Sequence, residues 1–427
     1  MTIKTKILYF FKGSLVTKVF GFISFFFLAK VVSLDTFAIY TLYLFVSEMI
    51  LTFLGFGLNS YIMRNSNEQK RLEVFPKAMF TIFTTLVFFV IVWIIFEPLF
   101  DIYFSSIYRQ ILEYKYFIFI ILLNKSFISM CLGYFVSNHR AKDHMFVNVS
   151  SSLSLLVFLM LYYFLFSLTE LDLIFYSFIS STTFPLFVSF WFLRKNKIFK
   201  KVSFVEILML INESYPFMLK NMIGILGLYL SRLVLESMAT KEELAAYSFY
   251  LMIVFQLSFF VNVLSQSIVP TIRDNFKKLE QLQDKISSYY KMFIILVAFV
   301  ISFVALISYF ISIGKFSIFS YLIREEYLSY IWIFSILLVA FFVGSLRTFF
   351  DVWQYHESID VKLKLIVISI LNVVLGLIIY PIMYKMFNIY GVAFGYIILS
   401  AIFTYISYYY FNDMQRRIKL EKNIHNS

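Results

Sequence analysis

FAIYTLYLFVSEMILTFLGFGLNS, residues 37–60, carries a single charged side chain, Glu48, in an otherwise apolar or small polar run. Wound as an α-helix at about 1.5 Å per residue it reaches about 36 Å, enough to cross a hydrocarbon layer of about 30 Å. The run ahead of it, residues 7–32, has the same character, and only SLDT, residues 33–36, separates the two. So short a connection makes them an antiparallel hairpin. The pattern continues outward. Further apolar runs cover roughly 76–100, 112–136, 146–168, 171–193, 206–236, 243–270, 290–312, 328–352, 363–384 and 388–411. The chain reads as an all-α polytopic membrane protein with twelve transmembrane helices, because in lipid each span must satisfy its own backbone groups. Composition agrees: 61% apolar residues, 15% charged and a mean hydropathy of +0.83. Fifty-six phenylalanines are more than one buried core would use and are expected to coat lipid-facing helix surfaces.

The net charge of +12 lies mostly in the connections. With both termini in the cytoplasm, 25 Lys and Arg fall on the cytoplasmic side and 7 on the outer side, alternating loop by loop. The bias therefore reads as topology and attraction to anionic membrane lipids, with no nucleic-acid partner. The basic connector Arg194–Lys201 splits the chain into an N-terminal lobe, 1–200, and a C-terminal lobe, 201–427, of six spans each. A faint echo, LDTFAIYTLYLF against KEELAAYSFYLM, aligns Tyr40 with Tyr247 and fits two parallel repeats.

Several classes of chemistry have no foothold. One cysteine, Cys131, rules out an internal disulfide. His139, His144, His356 and His425 lie far apart in sequence, so no metal site is expected. No P-loop, HExxH or Gly-rich dinucleotide motif implies a cofactor, and no nucleophile and base are paired for catalysis. The first span lacks a small-residue cleavage site and reads as an anchor.

Charges inside the spans carry the functional information. Lys18, Lys125 and Lys220 sit well inside their helices with no carboxylate three or four residues away. An ammonium there is costly and is expected to face a protein interior or a water-filled cavity. Three such lysines, drawn from both halves, point to a cationic cavity suited to a phosphate or another anion. Arg232 has Glu236, and Arg347 has Asp351, one turn on. Intrahelical pairing and a place in the cavity both fit these arginines. Glu48, in mid-span, fits either a partner for Lys18 or a site for a coupling proton or cation. Pro216, with Gly224 and Gly227 beyond it, makes the seventh span an expected bending, gating helix. Tyr40 and Tyr43 sit at a span end, where interfacial anchoring is expected.

The stretch KGSLVTKVFGFISFFFLAKVVSLDTFAIYTLYLFVSEMILTFLGFGLNSYIMR, residues 12–64, resembles the opening of bacterial polysaccharide (O-antigen repeat-unit) flippases. These belong to the multidrug, oligosaccharidyl-lipid and polysaccharide exporter superfamily. Lys12-Gly13-Ser14, Phe37-Ala38-Ile39-Tyr40 and Gly55-Phe56-Gly57-Leu58 followed by Arg64 carry the likeness. Pro216, Ala245-Ala246-Tyr247 and Val269-Pro270 continue it in the second half. Thr36-Phe37 and Ala246 stand where glycine is common, and no sodium-site carboxylate cluster is evident.

The resemblance implies two six-helix bundles around a central cavity that opens alternately to each side. It implies an undecaprenyl-diphosphate-linked oligosaccharide as substrate, carried from the cytoplasmic to the outer leaflet of the bacterial inner membrane. Lys18, Lys125, Lys220, Arg232 and Arg347 would then face the diphosphate, with a proton or sodium counter-ion. A polysaccharide polymerase and glycosyltransferases would be partners in building O-antigen, lipopolysaccharide or capsule. A small-molecule or drug exporter on the same fold, and a membrane-embedded polysaccharide polymerase, are the competing readings.

Overall fold

With no water to bond their amides, the apolar runs close their hydrogen bonds internally and form long helices. The computed structural model describes residues 3–58, 61–62, 68–103, 113–194, 202–256, 302, 306, 309, 325–350 and 362–426. Its helices are α1 (Ile3–Val31), α2 (Leu34–Leu54), α3 (Glu68–Tyr103), α4 (Lys115–Ser137), α5 (Ala141–Leu165) and α6 (Glu170–Leu193). They continue with α7 (Phe204–Met238), α8 (Lys241–Gln256), the short α9 (Glu325–Leu328), α10 (Ile331–Phe350) and α11 (Lys362–Asn426).

Among the described residues, seven stretches are long and apolar enough to cross a membrane, or eight if α7, bent after Gly227, counts as one span. The chain is thus an all-α multi-pass membrane protein. One of those stretches, Ile366–Asp413, carries both of the last two expected spans. Phe387 (φ −137°, ψ 19°) and Asn388 (φ 51°, ψ −144°) leave helical geometry and divide α11 into arms 362–386 and 389–426. The break falls where the sequence places its turn, at 385–387. A Cβ on Gly391 would lie 1.9 Å from the Met383 carbonyl oxygen, so only glycine lets the second arm start this close to the first. The expected ninth span, 290–312, and the far half of the eighth lie outside the described residues, apart from the helical positions 302, 306 and 309.

The chain divides into two compact units, Met1–Ile225 and Leu226–Ser427. In the first, α5 packs along α6 and α1, and α4 packs on α6, α3 and α2. Small polar residues make the α5–α6 seam. The Ser154 hydroxyl donates to the Ser181 carbonyl at 3.0 Å, and Tyr162 and Ser180 share a hydrogen bond of 2.9 Å. The two short turns are tied together. Ser33 caps α2, while its N–H and hydroxyl donate to the Glu170 carboxylate at 3.0 and 2.7 Å. Tyr40 and Tyr43 depart from the expected interfacial role. Both are buried: Tyr43 is edge-on to Phe175, and both rings lie 5.9 Å from Phe178. They start a helix whose buried face meets the aromatic face of α6, which outweighs their nearness to a span end.

In the second unit, α10 packs along α11, and α8 packs on α10 and α9. Phe249 stacks on Tyr327 with centroids 4.4 Å apart, and the Tyr250 hydroxyl donates to the Tyr327 carbonyl at 2.7 Å. Outward-facing aromatics behave as the composition suggests. Phe88, Phe164 and Tyr405 are 64%, 72% and 70% exposed on apolar helix faces.

Candidate functional site

The N-terminal unit holds a cavity of about 370 Å³. Glu48 and Thr52, one turn apart on α2, share a face and line it. Lys125, Ser126 and Ser129 line it from α4, Ser151 from α5, Thr182 from α6 and Asn221 from α7.

The rotation of α4 is set by the residue beside the lysine. Asn124 is buried, and its amide donates to Thr182 and Thr183 on α6 at 3.3 and 3.1 Å. That pins the helix and presents Lys125 and Ser126 to the cavity. The end of α2 is set by Gly57, whose φ of 66° favours glycine. A Cβ there would lie 2.5 Å from the Met218 amide nitrogen and 2.7 Å from Phe217 Cβ. The chain leaving α2 thus rests directly on the α7 backbone just past Pro216, one turn before Asn221. The Tyr61 hydroxyl donates to the Glu213 carboxylate, and Lys77 pairs with Glu206 at 2.7 Å, so α7 is held to the same unit further back. The Lys77–Glu206 pair is partly exposed and contributes little stability by itself.

Lys125 and Glu48 dominate the electrostatics. Both face the cavity, and Glu48 is near enough for its charge to act on Lys125, yet they form no ion pair. The Lys125 ammonium lies 5.5 Å from the centroid of the Phe178 ring. A cation–π contact of this kind is worth about 0.5–2 kcal/mol, while removing an ammonium from water costs several kcal/mol. The ring alone does not offset that cost. Ser126 adds a second demand: it is 3% exposed and its Oγ has no hydrogen-bond partner. The cavity thus pairs an under-compensated cation with an orphan hydroxyl.

The other residues singled out from the sequence lie elsewhere. Lys18 is half-buried on α1 and does not line this cavity, while Glu48 lines it together with Lys125. Glu48 shares the α2 face of Thr52, which also lines it. Lys220 lies on α7, but its side chain is outside the described residues, as is the surrounding of Gly224. Arg232 is 3% exposed in the second unit, and its Nε donates to the Ser248 hydroxyl at 3.0 Å. That hydrogen bond turns the guanidinium Nε toward α8. Arg347 is half-buried on α10 with its guanidinium carbon 5.8 Å from the Phe403 ring, while Asp351 lies outside the described residues. Pro216 is buried inside α7, and Gly227 allows Asn372 of α11 a close approach. Among the described residues no group of three His, Cys, Asp or Glu side chains could hold a metal ion.

Ser126, Ser151, Thr182 and Asn221 had not stood out in the sequence. One signal was there to find: Glu48 with Thr52 and Lys125 with Ser129 are i,i+4 pairs that put a charge and a hydroxyl on one face.

Comparison with known proteins completes the picture. Residues 3–276 match the family described as "Polysaccharide biosynthesis protein". Comparison with curated proteins returned no match. Solved structures match over nearly the whole length at low identity, which identifies the fold. VcmN, a MATE transporter from Vibrio cholerae in the bent form, is 14% identical over 98% of this chain and 99% of its own, with a TM-score of 0.65. A MATE structure in complex with MaL6 is 14% identical over 98% of each chain, TM-score 0.71. A MOP superfamily transporter from Pyrococcus furiosus, described as having a binding pocket of reverse polarity, is 16% identical over 98% of this chain and 97% of its own, TM-score 0.68. The chain belongs to the polysaccharide biosynthesis protein family.

Proposed function

We propose that this protein moves an amphiphilic substrate across the membrane by alternating access, with the cavity of its N-terminal unit as part of the substrate site. The observation that carries the reading is Lys125 facing that cavity beside Glu48 without an ion pair. A charge kept in an apolar bundle at a cost of several kcal/mol marks a pathway more often than a scaffold. A polar head group could not enter hydrocarbon unaided, and such a cavity replaces its lost hydration.

Two cargoes compete at finer grain. Family membership favours an undecaprenyl-diphosphate-linked oligosaccharide, with lysine answering the diphosphate while the prenyl chain stays in lipid. Its sugar-building partners would be glycosyltransferases and a polymerase. The solved structures back a small-molecule exporter better, since a close match is described as a multidrug resistance MATE family transporter. A cavity of about 370 Å³ also sits at the lower end of the about 300–1,000 Å³ usual for small-molecule sites.

The test is export per unit of folded protein. Lys125→Ala and Lys220→Ala are expected to abolish surface-polysaccharide export at near-normal membrane abundance, while Lys200→Ala changes little. Drug susceptibility is measured in the same strains. Normal export by both lysine variants at equal abundance removes the oligosaccharide reading. If drug efflux collapses instead, the exporter reading takes its place.

A further inference from the structure

We infer that the group bound in this cavity is a hydroxylated ring carrying both a cationic nitrogen and an anion, as in an amino sugar bearing a phosphate or carboxylate. The inference rests on the cavity being the substrate site. It goes further by naming the chemistry of the part that enters.

Three observations on the same walls support it. The first is the charge layout. A site built for a simple anion would hold cations alone, and one for a simple cation would hold carboxylates alone. Here one of each faces a single space, Lys125 from α4 and Glu48 from α2, and they do not neutralise each other by direct contact. A ligand with opposite charges on its two ends compensates both walls at once. A singly charged ligand leaves one wall charge facing its own, which is repulsive at short range.

The second is the lining between the charges. Thr52 lies one turn beyond Glu48, Ser126 follows Lys125, and Ser151 and Asn221 close the ring. The Ser126 hydroxyl is buried without a partner, which is costly unless an incoming acceptor or donor meets it. Ring hydroxyls supply such partners, and a flat apolar amine does not. The third is size. About 370 Å³ takes one decorated ring and part of its neighbour, so the rest of a longer head group would lie outside this cavity.

The decisive measurement is calorimetric binding to the full-length protein in lipid nanodiscs. The probes are D-glucosamine 6-phosphate, D-glucose 6-phosphate and D-glucosamine. The doubly charged sugar is expected to bind about tenfold tighter than either singly charged one, about 1.4 kcal/mol, since it alone meets both wall charges. Glu48→Gln should erase the preference over glucose 6-phosphate, and Lys125→Gln the preference over glucosamine. Equal binding of all three probes by the wild type, or no binding of any at millimolar concentration, overturns the inference, and neither result needs the variants to fold. So does retention of both preferences in the two variants. The transport reading is tested separately. If the probes are not discriminated while Lys125→Ala still blocks export, the cavity transports something other than a doubly charged sugar.

Discussion

Gly57→Ala is the sharpest structural test, because two independent penalties fall on one methyl group. The backbone there has φ 66°, a left-handed conformation that costs an ordinary L-residue about 1–2 kcal/mol. The new Cβ would also lie 2.5 Å from the Met218 amide nitrogen and 2.7 Å from Phe217 Cβ, and the first of these is backbone that cannot swing aside. Overpacking of this kind costs about 1–3 kcal/mol. A destabilisation of about 2–5 kcal/mol follows, with the end of α2 pushed off α7. Purified protein in detergent is heated in steps, and the fraction still monodisperse is followed by size-exclusion chromatography. The variant is expected to lose its folded peak several degrees below wild type. Gly57→Asn separates the two penalties, since asparagine tolerates positive φ but brings the same Cβ. It should recover only part of the loss. If Gly57→Ala is as heat-resistant as wild type, α2 does not rest on Phe217 and Met218, and the wall of the cavity has been drawn wrongly.

Two further expectations follow from the charges. In a Cys131→Ser background, single cysteines at Asn67, Asn196 and Asn275 should resist an outside-only thiol reagent, while those at Ser105 and Ser317 should label. Reversed labelling would overturn the orientation, and a mixed result the count of twelve spans. For the arginine on α10, Arg347→Ala should lower membrane abundance if it strands Asp351, with Arg347→Ala/Asp351→Ala restoring it. Full recovery of export by the double variant would make Arg347 structural; a stable but inactive double variant would put it in contact with cargo.

Much of the architecture is legible in the sequence because lipid enforces a simple rule: a helix must be long, apolar and uninterrupted. The turn at Ser33 and Thr36, the cap at Thr169 and the break at Phe387 and Asn388 all fall where polar residues interrupt apolar runs. Lys125 is legible for the same reason, since an unpaired charge in a span stands out from its neighbours. Its surroundings are not. Glu48 sits 77 residues away in sequence, and no local pattern says whether it turns toward Lys18 or Lys125. That depends on how α2 is rotated, which is fixed by long-range contacts such as Gly57 on Met218. The serines and threonines of the cavity are hidden by number. Many hydroxyls among the described residues bond to a carbonyl three or four residues back, as Ser177 and Ser189 do, and only packing distinguishes one that faces a cavity.

The break in α11 bears on how the protein enters the membrane. Its 48-residue apolar stretch would measure about 72 Å as a single rod, more than twice the thickness of the hydrocarbon layer. An insertion machinery that read only hydrophobicity would meet one overlong segment. With Lys385 and Asn388 flanking the bend, and Gly391 letting the second arm leave within one turn, the stretch can instead cross as a preformed helical hairpin, both arms released into lipid together. A bulky residue at 391 would act during biogenesis, by splaying the hairpin before it has neighbours to hold it, and its defect would appear as degraded nascent chain rather than as slow transport.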